Sequence, residues 1–414
     1  MGNKGGNMRI LLVHNYYGSS APSGENRVFE AERALLERHG HEVATYVRHS
    51  DEIRTGGVWA RTWGKVKGAF CTIGNPFAAW AVARKCRAFK PDVVHFHNTF
   101  PLVSPLAVWA ASRYAPVVMT LHNYRTMCAA GVPMRNGKVC SRCLDKRRVW
   151  DSIGHRCYRD SLLATLPLAV NIALYRRLLS RWVSRFIVLS GFQKRKMVEC
   201  GWPEEKIVVK GNSVETGRRG VSDGGRTNQI LFVGRLSDEK GVATLIEAFR
   251  MVSRCGDMAR ALKLVLIGDG ERRGAYEALA KGLAVEFWGG QSSAVVRKAM
   301  AVSRALILPS EWWETFGLSA VEAMAEGTPC VVSDLGALPD IVRNGRLGEV
   351  FAAGDATSLA DAIGRLLSRP DYDELRRAVR YEAETRHSEE ANYRRLMEVY
   401  NGTIARAVHD KCLQ

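Results

Sequence analysis

The sequence predicts an α/β protein of two domains, each built on a parallel β-sheet with helices on both faces. Short apolar runs rich in branched residues, which are typical of buried parallel strands, alternate with helix-forming segments along the 414-residue chain. The alternation stops at a glycine-rich stretch with few large apolar residues, at 214–228, and then begins again. The length agrees with this organisation, because domains average about 150 residues.

The N-terminal domain is predicted at 1–213. It opens with the apolar run MRILLV, which is followed by a Gly/Ser/Pro loop and a helix-forming segment that ends before Gly40. Helical stretches separate the later apolar runs, so the strands are expected to be parallel. The predicted strands are 8–13, 42–47, 92–96, 117–121 and 186–189, and the first predicted helix is 25–38.

The C-terminal domain, predicted at 229–387, repeats the pattern after a linker at 214–228. Its predicted strands are 229–233, 263–267, 285–287, 305–308 and 329–333, and its predicted helices include 242–252, 272–280 and 318–326. The last segment, 388–414, is basic and apolar with no strand after it. From the architecture we expect it to be a helix that packs back on the N-terminal domain.

The chain is strongly basic, with 60 Lys and Arg against 42 Asp and Glu and a net charge of +18. Between Arg54 and Leu144 thirteen basic residues accompany a single acidic one, Asp92. This excess favours a partner that carries phosphate groups or an anionic surface. The otherwise ordinary composition excludes a disordered or collagen-like chain, and ten cysteines are too sparse for a secreted disulfide scaffold.

The hydropathy pattern predicts neither a signal peptide nor a transmembrane helix. The N-terminal MGNKGGNMRILLV has no long apolar core and no small-residue cleavage site, so no signal peptide is expected. The longest nearly apolar stretch, 162–175, contains Pro167 and Asn171 and is shorter than the roughly 20 residues of a transmembrane helix. The sequence therefore predicts a soluble or peripheral protein.

A candidate phosphate-binding loop follows the first strand of the C-terminal half. In FVGRLSDEKG the chain turns at Gly234 and presents Arg235 and Lys240 just before a helix begins. Free N–H groups at a helix N-terminus together with two cations would neutralise a diphosphate and stabilise it as a leaving group. The alternative is a solvated turn whose Arg and Lys bind nothing.

A second candidate element is SEWWETFGLSAVEAMAEG, in which Glu314 and Glu322 are separated by seven residues. If a helix begins near Gly317, its amides point at a phosphate and Glu322 reaches a ribose, whose hydroxyls a carboxylate accepts well. Phe316 and Leu318 supply an apolar backing. The alternative is a helix N-terminus with favourable acidic residues, which occurs in any fold.

Together these motifs resemble the retaining glycosyltransferases of family 4, which have the two-domain GT-B fold. The resemblance rests on the Glu-x7-Glu motif, the GRL…EKG loop and the first-strand pattern, and it extends from Met8 to about Leu347. It implies two Rossmann-like domains that face each other across an interdomain cleft. It also implies sugar transfer from a nucleotide-diphosphate donor to an acceptor hydroxyl, for which no cofactor is expected to be required.

The resemblance assigns roles to individual residues. Arg235 and Lys240 would hold the diphosphate, Glu314 would approach the transferred sugar, and His122, just after a predicted strand, would lie near the hydroxyls of that sugar. His97 is expected to be structural or on the acceptor side. The loop Pro22-Ser23-Gly24-Glu25 departs from the adjacent glycines that members of the family often carry. The implied donor-binding residues are Gly24, Gly234, Arg235, Lys240, Phe316, Gly317, Leu318 and Glu322, and the implied catalytic residues are Glu314 and His122.

Four cysteines lie in a basic, loop-like insertion at about 125–160. Cys128, Cys140, Cys143 and Cys157 have the pattern C-x11-C-x2-C-x13-C. Four thiolates could hold a structural zinc ion, which would not be catalytic because it would have no open position. The alternative is a set of thiols with no ligand. The other six cysteines are expected to be small core residues.

The basic stretch 54–90 interleaves its cations with Trp59, Trp63, Phe70, Phe77 and Trp80. Such a surface is typical of helices in the headgroup region of an anionic bilayer, and 162–182, with leucines beside arginines, is a second candidate. The alternative is a pair of amphipathic helices with solvated outer faces. Because no nucleic-acid-binding motif accompanies the charge, no nucleic acid partner is expected.

The function predicted from these observations is sugar transfer with retention from a nucleotide-diphosphate sugar to a glycan or lipid-linked acceptor. The acceptor would be a lipid-linked glycan of a surface polysaccharide, and the protein would be cytoplasmic and peripheral on the inner face of the cell membrane. Two alternatives are kept: a two-domain sugar-nucleotide epimerase, and a non-catalytic, membrane-associated assembly component.

Overall fold

The computed structural model describes residues 6–18, 24–54, 58–216, 226–255 and 261–412. The chain divides into two compact units. The N-terminal unit comprises Met1–Pro133, Cys140–Lys210 and Tyr393–Gln414, and the C-terminal unit comprises Met134–Val139 and Gly211–Asn392. Most of the linker predicted at 214–228 falls at 217–225, outside the described residues.

The sheet of the N-terminal unit has six strands, all parallel, in the order β2-β1-β3-β4-β7-β8. The chain order reverses between β1 and β3, so the carboxyl ends of these strands flank a crevice of the kind in which doubly wound sheets bind ligands. The strands are β1 (Arg9–Tyr16), β2 (Glu42–His49), β3 (Val93–Phe96), β4 (Val117–Leu121), β7 (Arg185–Val188) and β8 (Ile207–Val209).

Strand β1 continues three residues beyond the predicted 8–13. The apolar run ends at Val13, but His14 and Asn15 are buried in the strand nonetheless. Asn15 is satisfied there, because its Oδ1 accepts from the Leu102 N–H at 3.0 Å and its Nδ2 donates to the Ser50 hydroxyl at 3.0 Å. Polar residues with buried partners can extend a strand where hydropathy alone predicts its end.

Helices surround this sheet, and the C-terminal helix Glu389–Cys412 joins its core. Leu396 and Tyr400 lie in one hydrophobic cluster with Ile10, Leu12 and Phe29. The remaining helices of the unit are Gly24–Arg38, Val58–Ile73, Pro76–Phe89, Pro105–Ser112, Arg142–Asp145, Asp151–Gly154, Leu162–Trp182 and Gly191–Glu199, with 3-10 turns at Ser50–Ile53 and Glu204–Lys206.

Helix Leu162–Trp182 has 21 residues, so the expectation that this apolar stretch is too short to span a bilayer was wrong on length. Pro167 lies in the second turn without ending the helix, which Ser161 caps by accepting from the Ala164 N–H. Among the described residues it is the one helix whose length and composition would allow it to cross a membrane. A core helix of a soluble protein meets the same criterion, and Leu168, Ala169 and Ile172 are buried.

The sheet of the C-terminal unit also has six parallel strands, in the order β11-β10-β9-β12-β13-β14. Its chain order reverses between β9 and β12, which places the second ligand-binding crevice at the carboxyl ends of these two strands. The strands are β9 (Gln229–Val233), β10 (Lys263–Ile267), β11 (Val285–Gly289), β12 (Ala305–Leu308), β13 (Cys330–Ser333) and β14 (Gly348–Phe351).

Seven helices and one 3-10 turn are described between β9 and the C-terminal helix. They are the turn Asp238–Lys240 and the helices Val242–Val252, Arg273–Leu279, Ser293–Val302, Leu318–Ala325, Leu338–Ile341, Ala356–Leu367 and Tyr372–Arg386. With the two parallel sheets, this arrangement confirms the predicted α/β fold class. A two-residue hairpin, β5 (Met134–Arg135) with β6 (Lys138–Val139), lies within the cysteine-containing insertion.

Candidate active site

The site in the C-terminal unit is formed where β9 and β12 end, at the reversal of strand order. The chain leaves β9 through Gly234 and Arg235 and reaches Lys240 in the Asp238–Lys240 turn. Gly241 follows with a φ of 64°, and a Cβ on it would lie 1.9 Å from the Pro309 carbonyl oxygen. Only glycine fits there, because it has no Cβ, and the loop after β9 can therefore pack against the loop after β12.

Glu314, in the loop after β12, is held by three donors. Its Oε1 accepts from Lys240 Nζ at 2.5 Å, from the Ser310 hydroxyl at 2.8 Å and from the Trp312 indole N–H at 3.0 Å. The ammonium also lies 5.5 Å from the centre of the Trp312 ring. Glu314 is buried, so the carboxylate is fixed in position by partners that compensate for the loss of water.

A helix begins immediately beyond this carboxylate, as the sequence predicts. Gly317 caps helix Leu318–Ala325 with a φ of 84°, and a Cβ on it would lie 2.6 Å from Leu338 Cδ2. No side-chain hydrogen bond caps this end of the helix. The first amides of a helix have no partner within it, so this terminus can receive an anion. Glu322 is half-buried on the second turn of the same helix, and Phe316 is buried.

Arg235 does not share in the contact between Lys240 and Glu314. Its guanidinium pairs with Glu239 at 2.7 Å, and its side chain is 61% exposed. An exposed pair of this kind is worth only about 0–1 kcal/mol, so the side chain can leave Glu239 for a stronger anion at little cost.

In the N-terminal unit His97 and His122 follow β3 and β4, at the edge where the predicted site residues of this unit belong. His97 Nδ1 lies 3.1 Å from His122 Nε2, and the two rings are stacked with centres 5.4 Å apart. Both side chains line a cavity of about 60 Å³ that is closed on another side by Leu168 and Ile172 of helix Leu162–Trp182. Gly24 is the exposed first residue of its helix, and a Cβ there would meet nothing within 4 Å.

A buried carboxylate, Glu32, stands behind these histidines. Its Oε2 accepts from Lys210 Nζ at 2.9 Å, and its Oε1 lies 3.1 Å from His97 Nε2 and 3.1 Å from His95 Nδ1. Glu32 was not among the predicted site residues, although it lies three residues after buried Phe29 and four before buried Leu36. That spacing places Glu32 on the core face of the helix, so helical periodicity could have predicted its burial.

The contact with Glu32 also fixes the tautomers of both histidines. A carboxylate only accepts, so His97 donates through Nε2. Burial and the neighbouring His95 lower the pKa of His97 to about 4, so its ring is neutral and its Nδ1 accepts. His122, whose pKa burial holds well below the usual range, then donates through Nε2. Nδ1 is therefore the accepting nitrogen of His122.

Glu32, His95 and His97 are the one set of three ligand-type side chains, within the described ranges, whose ligand atoms all lie within 4.8 Å of one another. The ammonium of Lys210 already neutralises the carboxylate of this set. We therefore interpret this set as part of an internal ion pair with Lys210 and not as a metal site.

Comparison with known proteins gives the family. Residues 215–386 match the family described as glycosyl transferases group 1, and residues 23–213 match the glycosyl transferase 4-like domain. The chain belongs to glycosyltransferase family 4. Both matches together cover most of the chain, so the predicted resemblance and the prediction of a transferase enzyme are confirmed.

The chain spans less than half the length of two curated relatives that it matches, and most of the length of a third. The phosphatidyl-myo-inositol mannosyltransferase of Mycobacterium leprae is 34% identical over 42% of this chain and 46% of that protein. The N-acetyl-alpha-D-glucosaminyl L-malate synthase of Bacillus anthracis is 34% identical over 32% and 37%. The glycogen synthase of Mycobacterium tuberculosis is 27% identical over 88% and 87%.

Solved structures show the same fold. A glycosyltransferase from Rickettsia africae has a TM-score of 0.65 at 17% identity, over 96% of this chain and 99% of that one. Anabaena Alr3699/HepE, in complex with UDP and glucose, has a TM-score of 0.61 at 17% identity, over 96% and 100%. These similarities confirm the GT-B fold class of this family member.

Proposed function

We propose that this family 4 member transfers a glycosyl residue from a nucleotide-diphosphate sugar to an acceptor hydroxyl, with retention at the anomeric carbon. The observation that carries the proposal is the Lys240–Glu314 contact beside the N-terminus of helix Leu318–Ala325. It brings a cation, a carboxylate and the N-terminus of a helix to the one edge of the sheet where the strand order reverses.

Each part of this site has a task as the donor bond breaks. Negative charge grows on the departing diphosphate, and Lys240, the helix amides after Gly317 and a reoriented Arg235 stabilise it. The backbone at Gly234 and Leu318 approaches the phosphates, with Phe316 behind it. Positive charge grows on the sugar ring, which Glu314 stabilises electrostatically, and Glu322 binds the ribose hydroxyls.

Two residues of the N-terminal unit are included in the proposal. His122, whose Nε2 contacts His97 Nδ1, is placed near the hydroxyls of the transferred sugar. Gly24 offers backbone that no side chain covers. The acceptor enters on the side of the N-terminal unit, its hydroxyl attacks the sugar on the face that the diphosphate leaves, and the departing phosphate takes the proton. No side-chain nucleophile or catalytic metal is required by this scheme.

The acceptor is further proposed to be a lipid-linked glycan of a surface polysaccharide, with the protein peripheral on the inner, cytoplasmic face of the cell membrane. The support is an exposed stripe on helix Val58–Ile73. Trp59 is 89% exposed and Trp63 74%, and Val66 and Phe70 continue the stripe at spacings of three and four residues. Gly64 and Gly68 lie on the buried face, so the large side chains point outward.

Neighbouring helices extend this surface. Phe77 is 81% exposed on helix Pro76–Phe89, and Leu163 is 79% exposed on helix Leu162–Trp182, which packs against helix Val58–Ile73. Exposed cations accompany the apolar groups, and the Arg84 guanidinium lies 5.0 Å from the centre of the Trp80 ring. We call this the aromatic-basic surface: Trp59, Trp63, Lys65, Val66, Lys67, Phe70, Phe77, Trp80, Arg84, Leu162, Leu163, Leu166, Leu174, Arg177 and Arg181. Its composition fits the headgroup layer of an anionic bilayer.

The experiment is a donor screen with the full chain, in which release of nucleoside diphosphate is measured with and without lipid-linked acceptors. Lys240→Ala should reduce kcat/KM by about 10²–10³-fold, because it removes one fixed cation from the leaving group. Lys263→Ala, which removes an exposed lysine paired with Glu286 in the same unit, should leave turnover unchanged.

Other outcomes would replace the proposal. Inversion at a sugar carbon without any acceptor would identify an epimerase. Tight nucleotide-sugar binding without release would identify a non-catalytic assembly component. Equal turnover of the Lys240→Ala and wild-type proteins would remove Lys240 from the site.

A further inference from the structure

Four cysteines in the insertion between β4 and helix Leu162–Trp182 differ from the others in their burial. None of them is in a disulfide bond. Elsewhere in the described chain the cysteines are either fully buried, as Cys86 and Cys330 are, or exposed. The half-buried cysteines are Cys128, Cys140, Cys143 and Cys157, and these are the four of the C-x11-C-x2-C-x13-C pattern.

The four thiols share one neighbourhood although 29 residues separate the first from the last. Cys128, Cys157 and Cys140 each act electrostatically on Cys143, and Cys157 acts on Cys128. The β5–β6 hairpin lies between the first two cysteines, and its base is closed by the Cys140 N–H donating to the Pro133 carbonyl at 2.9 Å. Cys143 then lies in the first turn of the short helix Arg142–Asp145.

The surrounding charge complements a negative centre. Between Arg135 and Asp160 the sequence has eight Lys and Arg against three Asp. Zn²⁺ held by four thiolates carries a formal charge of −2, which would offset part of this positive excess, whereas four neutral thiols offset none of it.

The segment has little regular structure with which to hold itself together. Its helices, Arg142–Asp145 and Asp151–Gly154, have four residues each, and its strands have two. The hydrophobic cluster beside it takes Ala129 and Val149 as buried members from the segment, with Ile153 and Tyr158 packed against them, and its other buried members come from helix Leu162–Trp182. A metal commonly supplies the stability that such a small, polar segment lacks.

We propose that Cys128, Cys140, Cys143 and Cys157 bind one structural zinc ion. Within the described ranges no three of these sulfurs lie within 4.8 Å of one another. Binding therefore draws the side chains inward, to the sulfur separations of about 3.8 Å that a tetrahedral site with Zn–S bonds of about 2.3 Å requires. The ion would anchor the insertion beside His122 and the cavity, and would take no part in the transfer.

The test is elemental analysis of the full chain, expressed with zinc in the medium and then dialysed against a weak chelator. The wild-type protein should retain about one zinc ion per chain, and Cys143→Ser and Cys157→Ser should retain none. Cys255→Ser is the matched control, because Cys255 is exposed and lies outside the set, and it should keep its zinc.

A second measurement covers the case in which the serine variants fail to fold. Titration of the wild-type protein with a mercurial should release the zinc as four thiols react, and Co²⁺ substitution should give the visible absorption of a tetrahedral four-thiolate site. Folded protein that retains no metal would overturn the proposal. So would the loss of two or four thiols to disulfides before reduction.

Discussion

At the scale of single residues, the N-terminal unit contains a carboxylate in its core, that of Glu32. Glu32 accepts from Lys210, lies within reach of His95 and His97, and is 4% exposed. Lys210 holds the carboxylate of Glu32 ionised, since the nearby ammonium and histidines keep the pKa of Glu32 well below its usual range against the opposing effect of burial. The pair is therefore a permanent charge centre within the core.

We expect Glu32→Gln to lower the free energy of unfolding by about 3–5 kcal/mol, because it leaves the ammonium of Lys210 buried without a counter-charge. Glu32→Gln combined with Lys210→Met should recover most of this loss, since neither charge then remains. Denaturant unfolding measures both.

Glu37→Gln is the control for this prediction. It breaks an exposed pair with Arg33 on the same helix and should cost no more than about 1 kcal/mol. Equal stability of the single and double variants would show that the Lys210 charge is not what makes Glu32 necessary.

At the scale of helices, the aromatic-basic surface is formed by a helix whose apolar side chains face solvent. Helix Val58–Ile73 turns its glycines toward the protein and its aromatic side chains toward solvent, the reverse of an ordinary surface helix. Exposed apolar stripes of this size are otherwise rare on soluble proteins, and they mark contact surfaces.

Wild-type protein should therefore float with vesicles that contain anionic lipid, less so at high salt, and hardly with neutral vesicles. Trp63→Ser combined with Phe70→Ser should reduce the bound fraction at least about tenfold, since burial of each side chain contributes about 1.5–3 kcal/mol.

Tyr381→Ser supplies the comparison for flotation, because Tyr381 is a 69% exposed aromatic residue of the C-terminal unit. It should float like the wild type. If the double variant also floats like the wild type, the stripe has no part in membrane contact.

At the scale of the whole molecule, neutral buried histidines make stability depend on pH. Burial lowers the pKa of His14 to about 3 and the pKa values of His97 and His387 to about 4. In the unfolded chain these groups titrate near 6.5. Between about pH 6.5 and 4 unfolding therefore takes up protons, and stability falls as the pH falls.

The slope should approach about 1.4 kcal/mol per pH unit for each histidine near pH 5, as measured by denaturant unfolding across this range. His97→Asn should lower the proton uptake by about one. A stability that is constant, or that rises toward pH 4, would contradict the neutral, buried state of these rings.

The fold was predictable where hydropathy and backbone periodicity agree. The strands β3, β4, β9, β10 and β12 have continuous apolar runs, and their bounds lie within one residue of the prediction. The sixth strands, β8 and β14, were missed because they are short, of three and four residues, and only partly buried. Cys255 and Cys412 were expected in the core and are exposed, because a cysteine has no spacing rule that reports its side of a helix.

The candidate site was predictable in its residues and not in its contacts. The motifs identify Lys240 and Glu314, but these residues are 74 positions apart, and only the strand order brings their side chains together. Ser310 and Trp312 were missed as partners of Glu314 because a loop has no periodicity from which side-chain direction can be deduced. His95 and Lys210 were missed for the same reason as Glu32: each is a polar residue in an apolar neighbourhood, and its partners are distant in sequence.

The three hydrogen bonds to Glu314 have a consequence for how the proposed nucleotide-sugar would bind. Because the Glu314 carboxylate contacts Lys240, the ammonium of Lys240 already has a counter-ion from within the protein. If the proposed function holds, a diphosphate would therefore have to displace the Glu314 carboxylate from Lys240, and the binding step would be an exchange of one anion for another.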